Sequence, residues 1–174
     1  MFSINCLEIT VTRKQWKNRS FQNQSIYKNL LSDADFEFLD TDNTPVNKRF
    51  LFNDFYKIEN GNLVENTDRT LPEDFFGKNI NIQAIVGKNG SGKSTLMDLM
   101  YMIINNFCYM FERGNDRPGA DPIYYVPNIY AKLYFIIKSD SHIQNFVLGN
   151  DNKDIFLYLD RETSLNLIKR FSLN

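Results

Sequence analysis

Gly87-Lys88-Asn89-Gly90-Ser91-Gly92-Lys93-Ser94-Thr95 stands between two apolar runs of different character. Ahead of it, Ile80-Asn81-Ile82-Gln83-Ala84-Ile85-Val86 is rich in β-branched residues and stops abruptly at Gly87, which predicts a strand. After it, residues 95–113 contain no glycine or proline and carry apolar side chains on nearly every face, which predicts a helix buried on several sides. The segment between fits G-x-x-x-x-G-K-[ST] at every constrained position, in the strand, loop and helix order that phosphate binding requires. Glycines let the backbone wrap closely round a phosphate, so that several N–H groups converge on its oxygens at the positive end of the helix dipole.

Roles follow residue by residue. Gly87, Gly90 and Gly92 supply the turns, and backbone amides from Asn89 to Ser94, Ser91 among them, supply most of the cradle. Lys93 is expected to reach the β- and γ-phosphates of ATP, the Ser94 hydroxyl to ligate Mg2+, and Thr95 to hydrogen-bond the α-phosphate.

The wording of the loop, with Asn-Gly-Ser between its outer glycines, resembles ABC-type ATPases, in the branch that includes the structural-maintenance-of-chromosomes (SMC), recombination and anti-phage defence ATPases. The resemblance is specific over nine residues and architectural elsewhere. It implies an α/β fold, a P-loop NTPase lobe with a large antiparallel β component like the N-terminal lobe of an ABC/SMC-type head. The function it implies is binding of ATP with magnesium, as part of a cytoplasmic ATPase in DNA repair, chromosome maintenance or anti-phage defence. A second copy of the head or a missing C-terminal lobe is the implied partner, with nucleic acid a partner of the full-length protein and no membrane.

An ABC-type head also needs an LSGGQ-like signature, a Walker B strand ending in Asp-Glu, and a switch histidine. No LSGGQ-like segment occurs in these residues. The candidate for Walker B is Ile155–Asp160 followed by Glu162, in which Asp160 would hold magnesium through water and Glu162 would polarise the attacking water; the acid comes one residue late. His142 precedes that segment, and Gln144 is the one glutamine after the loop. The chain alone is therefore expected to bind ATP without competent turnover. Two alternatives stand beside this reading: a self-contained nucleotide-binding scaffold without turnover, and a compact P-loop ATPase using Asp160 and Glu162. A GTPase is disfavoured because no Asn-Lys-x-Asp segment is present.

Composition narrows the rest. The 174 residues fit one domain, and 43% hydrophobic residues with few glycines and prolines describe a globular chain. Twenty Lys and Arg nearly cancel 21 Asp and Glu, so no strong surface field points to nucleic acid. One histidine and two distant cysteines, Cys6 and Cys108, disfavour multi-histidine and four-ligand zinc sites. The apolar stretch 96–111 is broken by Asp98 and by Asn105-Asn106 and falls short of the roughly 20 residues of a membrane span.

Along the chain, residues 1–174 read as a single P-loop nucleotide-binding lobe, with 12–79 a β-rich elaboration of it. Period-2 alternation at Leu7, Ile9 and Val11 predicts the first strand. A short helix is expected over 26–31, a strand over 36–39, and a hairpin turning at Asn60-Gly61. Arg13, Lys14, Lys17 and Arg19 cluster around Trp16 as a solvated strand end or a small nucleic-acid contact. Residues 115–122 read as a loop and 123–160 as an antiparallel meander of three strands, turning at Ser139-Asp140-Ser141 and Gly149-Asn150-Asp151-Asn152. Residues 163–174 read as the start of a helix leading out of the lobe.

Overall fold

The computed structural model describes residues 2–18, 21, 25–54, 56–59, 62–68, 72, 75, 77, 82, 84–112, 123–138, 143–152, 154–161 and 164–172. Alternation at the start of the chain builds β1 (Phe2–Ile9), with Leu7 and Ile9 buried on one face and Glu8 on the other. Short helices α1 (Arg13–Trp16) and α2 (Ser25–Lys28) and a 3-10 turn (Asp33–Phe36) precede β2 (Lys48–Leu51). The hairpin β3 (Tyr56–Glu59) and β4 (Asn62–Glu65) forms a small sheet of its own, and the long helix α3 (Lys93–Glu112) follows. The chain continues through β5 (Tyr130–Lys138), β6 (Ile143–Asp151), β7 (Asp154–Arg161) and β8 (Ser164–Ser172). The fold is mixed α/β and dominated by one six-stranded sheet, ordered β2-β1-β5-β6-β7-β8, in which every neighbouring pair is antiparallel.

The two faces of that sheet differ. Leu7, Ile9, Leu133, Leu148 and Ile155 pack in one core with Leu96, Leu99, Met100 and Ile103 of α3. Each such side chain contributes about 1.5 to 3 kcal/mol on burial, which holds the helix on the sheet without fixing where along it the helix sits. Asn106, fully buried, sets that position: its Nδ2 donates to the Asn150 Oδ1 and to the Val126 carbonyl, both at 2.8 Å, and its Oδ1 accepts from the Val126 N–H at 2.8 Å. On the opposite face Glu8 is 1% exposed and is held by Arg49, by the Lys132 Nζ at 3.1 Å and by the Tyr134 hydroxyl at 3.3 Å. A buried carboxylate persists only with such partners. Burial, with the charge of Glu8 second, pushes the neighbouring Cys6 thiol up to about 12.

Several expectations hold: the first strand, the 20-residue helix, the β3–β4 hairpin and the three-strand meander. Others are corrected. Ser164–Ser172 is not the start of a helix but strand β8, because β7 offers it a full antiparallel partner from Asp154↔Ser172 to Arg161↔Ser164. The strand over 36–39 is replaced by the 3-10 turn, whose Ser32 N–H and hydroxyl bond Asp35 at 2.7 and 3.0 Å. Residues 82 and 84–88 belong to no strand; among the described residues none pairs with them, and Ile82 and Val86 are exposed. Helix α3 is fully buried along one face, with Met97, Met102, Ile104, Phe107 and Tyr109 partly buried on its flanks and Tyr101 and Phe111 more than half exposed, so its burial is less complete than expected. Gly149 and Asn150 pair within β6 rather than turning, and the positive φ falls on Asn152 at 50°. Of the elaboration over 12–79, only β2, β3 and β4 are strands among the described residues. The loop over 115–122, the Asn60-Gly61 turn and the turn at 139–141 lie outside the described residues.

Replacing Asn106 by Leu removes an amide on which the Val126 N–H and the Asn150 side chain depend, and unfolding in urea is expected to show a loss of about 2 to 4 kcal/mol. A loss under about 1 kcal/mol would mean that the helix is registered by packing alone.

Candidate functional site

The glycine-rich loop closes on itself before the helix begins. The Ser91 N–H donates to the Lys88 carbonyl at 3.2 Å, and the Leu96 N–H donates to the Gly92 carbonyl at 2.8 Å, which opens α3. Gly90 and Gly92 take φ of 78° and 82°, a region that side chains strain to enter. At Gly92 there is a second reason for glycine: a Cβ there would stand 2.8 Å from the Asn29 carbonyl oxygen. A Cβ at Gly87 would meet the Ser91 Oγ at 2.6 Å, so the loop is also tight across its mouth.

Lys93 is the first residue of α3, and its Nζ folds back to donate to the carbonyls of Gly87 at 2.6 Å and Lys88 at 2.8 Å. Its charge therefore hangs over the loop. No acidic residue occupies the first turn of α3, so the positive end of the helix dipole is not neutralised there. Ser94 is exposed, and the Thr95 Oγ1 accepts a hydrogen bond from the Asn29 Nδ2 at 3.2 Å. Asn29 and residues 89–95 line a cleft of about 390 Å³.

The structure thus brings Asn89, Gly90, Ser91, Gly92, Lys93, Ser94 and Thr95 round one concavity, with Gly87 at its mouth as an acceptor for Lys93. Asn29 joins them without any sequence signal, since its contacts span 66 residues. Its position is set by α2, where the Tyr27 hydroxyl accepts from the Tyr130 N–H at 2.7 Å and ties that turn to the sheet.

Other candidates lie elsewhere. Asp160 is in β7, opposite Asn145 and Leu165, five positions along the β6–β7 register from Asn150↔Ile155, where α3 is anchored through Asn106. That is about 17 Å of strand. Glu162 and His142 lie outside the described residues, and Gln144 is exposed in β6 opposite Ile137. Of the basic cluster near Trp16, Arg13 is turned to internal use while Lys14 and Lys17 stay exposed. Arg13 donates to the carbonyls of Phe36 and Leu39, and both Arg13 and Lys17 pair with Asp42, at 3.6 and 3.4 Å. Arg19 lies outside the described residues. Among the described residues no three His, Cys, Asp or Glu side chains gather as metal ligands, and no helix is long and apolar enough to cross a membrane.

No family model matches the chain, and no curated protein or solved structure matches it either.

The two positive-φ glycines separate strain from contact. Gly90→Ala has open space around its Cβ and is expected to cost about 1 kcal/mol, whereas Gly92→Ala must also displace the Asn29 carbonyl and should cost about 2 to 3 kcal/mol. Thermal unfolding of both variants measures this, and equal losses would mean that the approach of α2 to the loop is unimportant.

Proposed function

We propose that this chain binds ATP with magnesium through residues 87–95, as the Walker A part of an ATPase of the ABC/SMC type acting in the cytoplasm. The observation that carries the reading is the convergence at the start of α3. Two positive-φ glycines, the unneutralised end of a 20-residue helix and the Lys93 ammonium all border one cleft large enough for a polyphosphate.

The donor set fits the ligand. Lys93 exchanges its bonds to the Gly87 and Lys88 carbonyls for β- and γ-phosphate oxygens, so its charge is already beside the place where it is needed. The exposed Ser94 hydroxyl is the group in the loop that would hold magnesium, which supplies charge neutralisation between the phosphates. Thr95 retains its hydroxyl proton for a phosphate oxygen while accepting from Asn29.

Binding and turnover separate at this site. Asn29 and residues 89–95, which line the cleft, include no carboxylate, so the group that would orient an attacking water comes from outside that lining. This favours a chain that holds nucleotide and leaves hydrolysis to a completing lobe or a second head.

Lys93→Ala is expected to weaken magnesium-ATP binding about tenfold or more in a calorimetric titration, since one charge-assisted contact is worth roughly 1.5 to 3 kcal/mol, while its thermal transition stays unchanged. Equal affinities would place the nucleotide elsewhere. Wild type is expected to release no phosphate above background; turnover that Glu162→Gln abolishes while ATP remains bound would instead establish a compact, self-sufficient ATPase.

A further inference from the structure

A second concavity of about 390 Å³ lies on the sheet face turned away from α3. On that face the pairings Tyr130↔Asp151, Lys132↔Gly149 and Tyr134↔Val147 set β5 against β6. The pairings Asp151↔Asp154, Gly149↔Phe156 and Val147↔Tyr158 set β6 against β7. Directly opposed residues in antiparallel strands share a face, so Gly149 is the centre of a three-by-three lattice of side chains and the one position without any. The missing side chain opens a well. A Cβ at Gly149 would lie 3.6 Å from the Tyr158 ring and 3.8 Å from both Lys132 and Phe156, ordinary contact distances, so the backbone there does not itself demand glycine. Thr12, Gln15 and Pro45 also border the opening.

The charges round the well are unequally satisfied. Lys132 is engaged by the buried Glu8 at 3.1 Å, and Asp154 by Arg170 at 2.7 Å. Asp151 lines the well and, among the described residues, has no cationic partner. Burial, and next the charge of Asp154, holds its carboxyl above the usual range, and a cation seated beside it would favour the ionised form. The walls are aromatic: Tyr130, and the stacked Phe156 and Tyr158 rings with centroids 5.9 Å apart. Arg170 already rests over the Phe156 ring at 5.4 Å, which shows the same ring engaged with a guanidinium.

We propose that this well binds a small organic cation, a primary ammonium or guanidinium on a short carbon chain, with its charge on Asp151 and its stem against Tyr130, Phe156 and Tyr158. A carboxylate with no cationic partner among the described residues, beside aromatic faces, recognises that chemistry, because the ring quadrupoles and the carboxylate attract the same charge while the rings cover the methylenes. The lysine or arginine side chain of a peptide and a free amine present the same group.

Calorimetric titration with agmatine and cadaverine, beside the blocked amino acids N-acetyl-arginine amide and N-acetyl-lysine amide, tests the proposal and separates the two sources. At least one of the four is expected to bind saturably at about millimolar concentration or below, with affinity reduced about tenfold or more in Asp151→Asn and in Gly149→Val, which fills the well. Asp151 is at the surface and its substitution leaves the core intact, so Asp151→Asn decides the matter alone if the Gly149 variant does not fold. Absence of saturation with all four probes, or binding that neither variant alters, overturns the proposal. So does saturable binding of benzoate in place of the cations, which would assign the well to Lys132.

Discussion

A single buried amide, the Asn106 side chain, ties the helix to the sheet, and most of the geometry described above depends on that tie. Apolar packing between α3 and the sheet is strong but tolerant of sliding, because leucine, isoleucine and methionine contacts lack direction. The hydrogen bonds of Asn106 with Asn150 and Val126 do have direction, and a shift of one helical turn would break all three of them. Because Lys93 and the loop sit toward the other end of the same helix, fixing residue 106 fixes the glycine-rich loop as well. Asn150 extends the tie by donating to the carbonyls of Ile129 and Asn152, so the segment entering β5 and the turn after β6 are held by the same network.

The loop itself is braced from the opposite side by α2. Asn29 approaches Gly92 so closely that only hydrogen fits on the glycine, and its amide reaches Thr95. Tyr27, two residues earlier, bonds the backbone of β5. The residues that would contact phosphate are therefore carried by three supports, the sheet, α2 and α3, although the apolar run ahead of the loop pairs with none of the described strands.

What was legible in the sequence were features whose cause is local. The glycine-rich loop, the glycine-free helix, the hairpin and the alternating runs of the meander each announce themselves within about ten residues, because turn chemistry and side-chain period act at that range. The misreadings came where a distant partner decides. Leu165, Leu167 and Ile168 fit a helical face as well as a strand, and pairing with β7 settles it in favour of the strand. The run over 80–86 has strand composition without a ladder among the described residues. Asn29 carried no signal, Asn106 read as a break in an apolar stretch and Asn150 as a turn residue, since the bonds Asn29–Thr95, Asn106–Val126 and Asn106–Asn150 span 66, 20 and 44 positions of the chain. Gly149 read as a turn signal and proved to be a gap in a lattice, a role that appears only once three strands lie side by side.

The position of β1 sets the order in which this sheet can assemble. β5 to β8 follow one another with at most four residues between neighbours and can zip together from local contacts, whereas β1, which β2 can pair on one edge, must wait for β5 on the other, with Phe2 pairing to Ile137. Closing so long a loop is slow relative to hairpin formation, and ln kf falls as such non-local pairings dominate. During synthesis at about 5 to 20 residues per second, the β5-facing edge of the first strand would stay unpaired on the order of ten seconds, while β2 can cover its other edge sooner. The open edge of β1 before β5 arrives, not the finished sheet, is then the point at which strand addition from another chain is easiest.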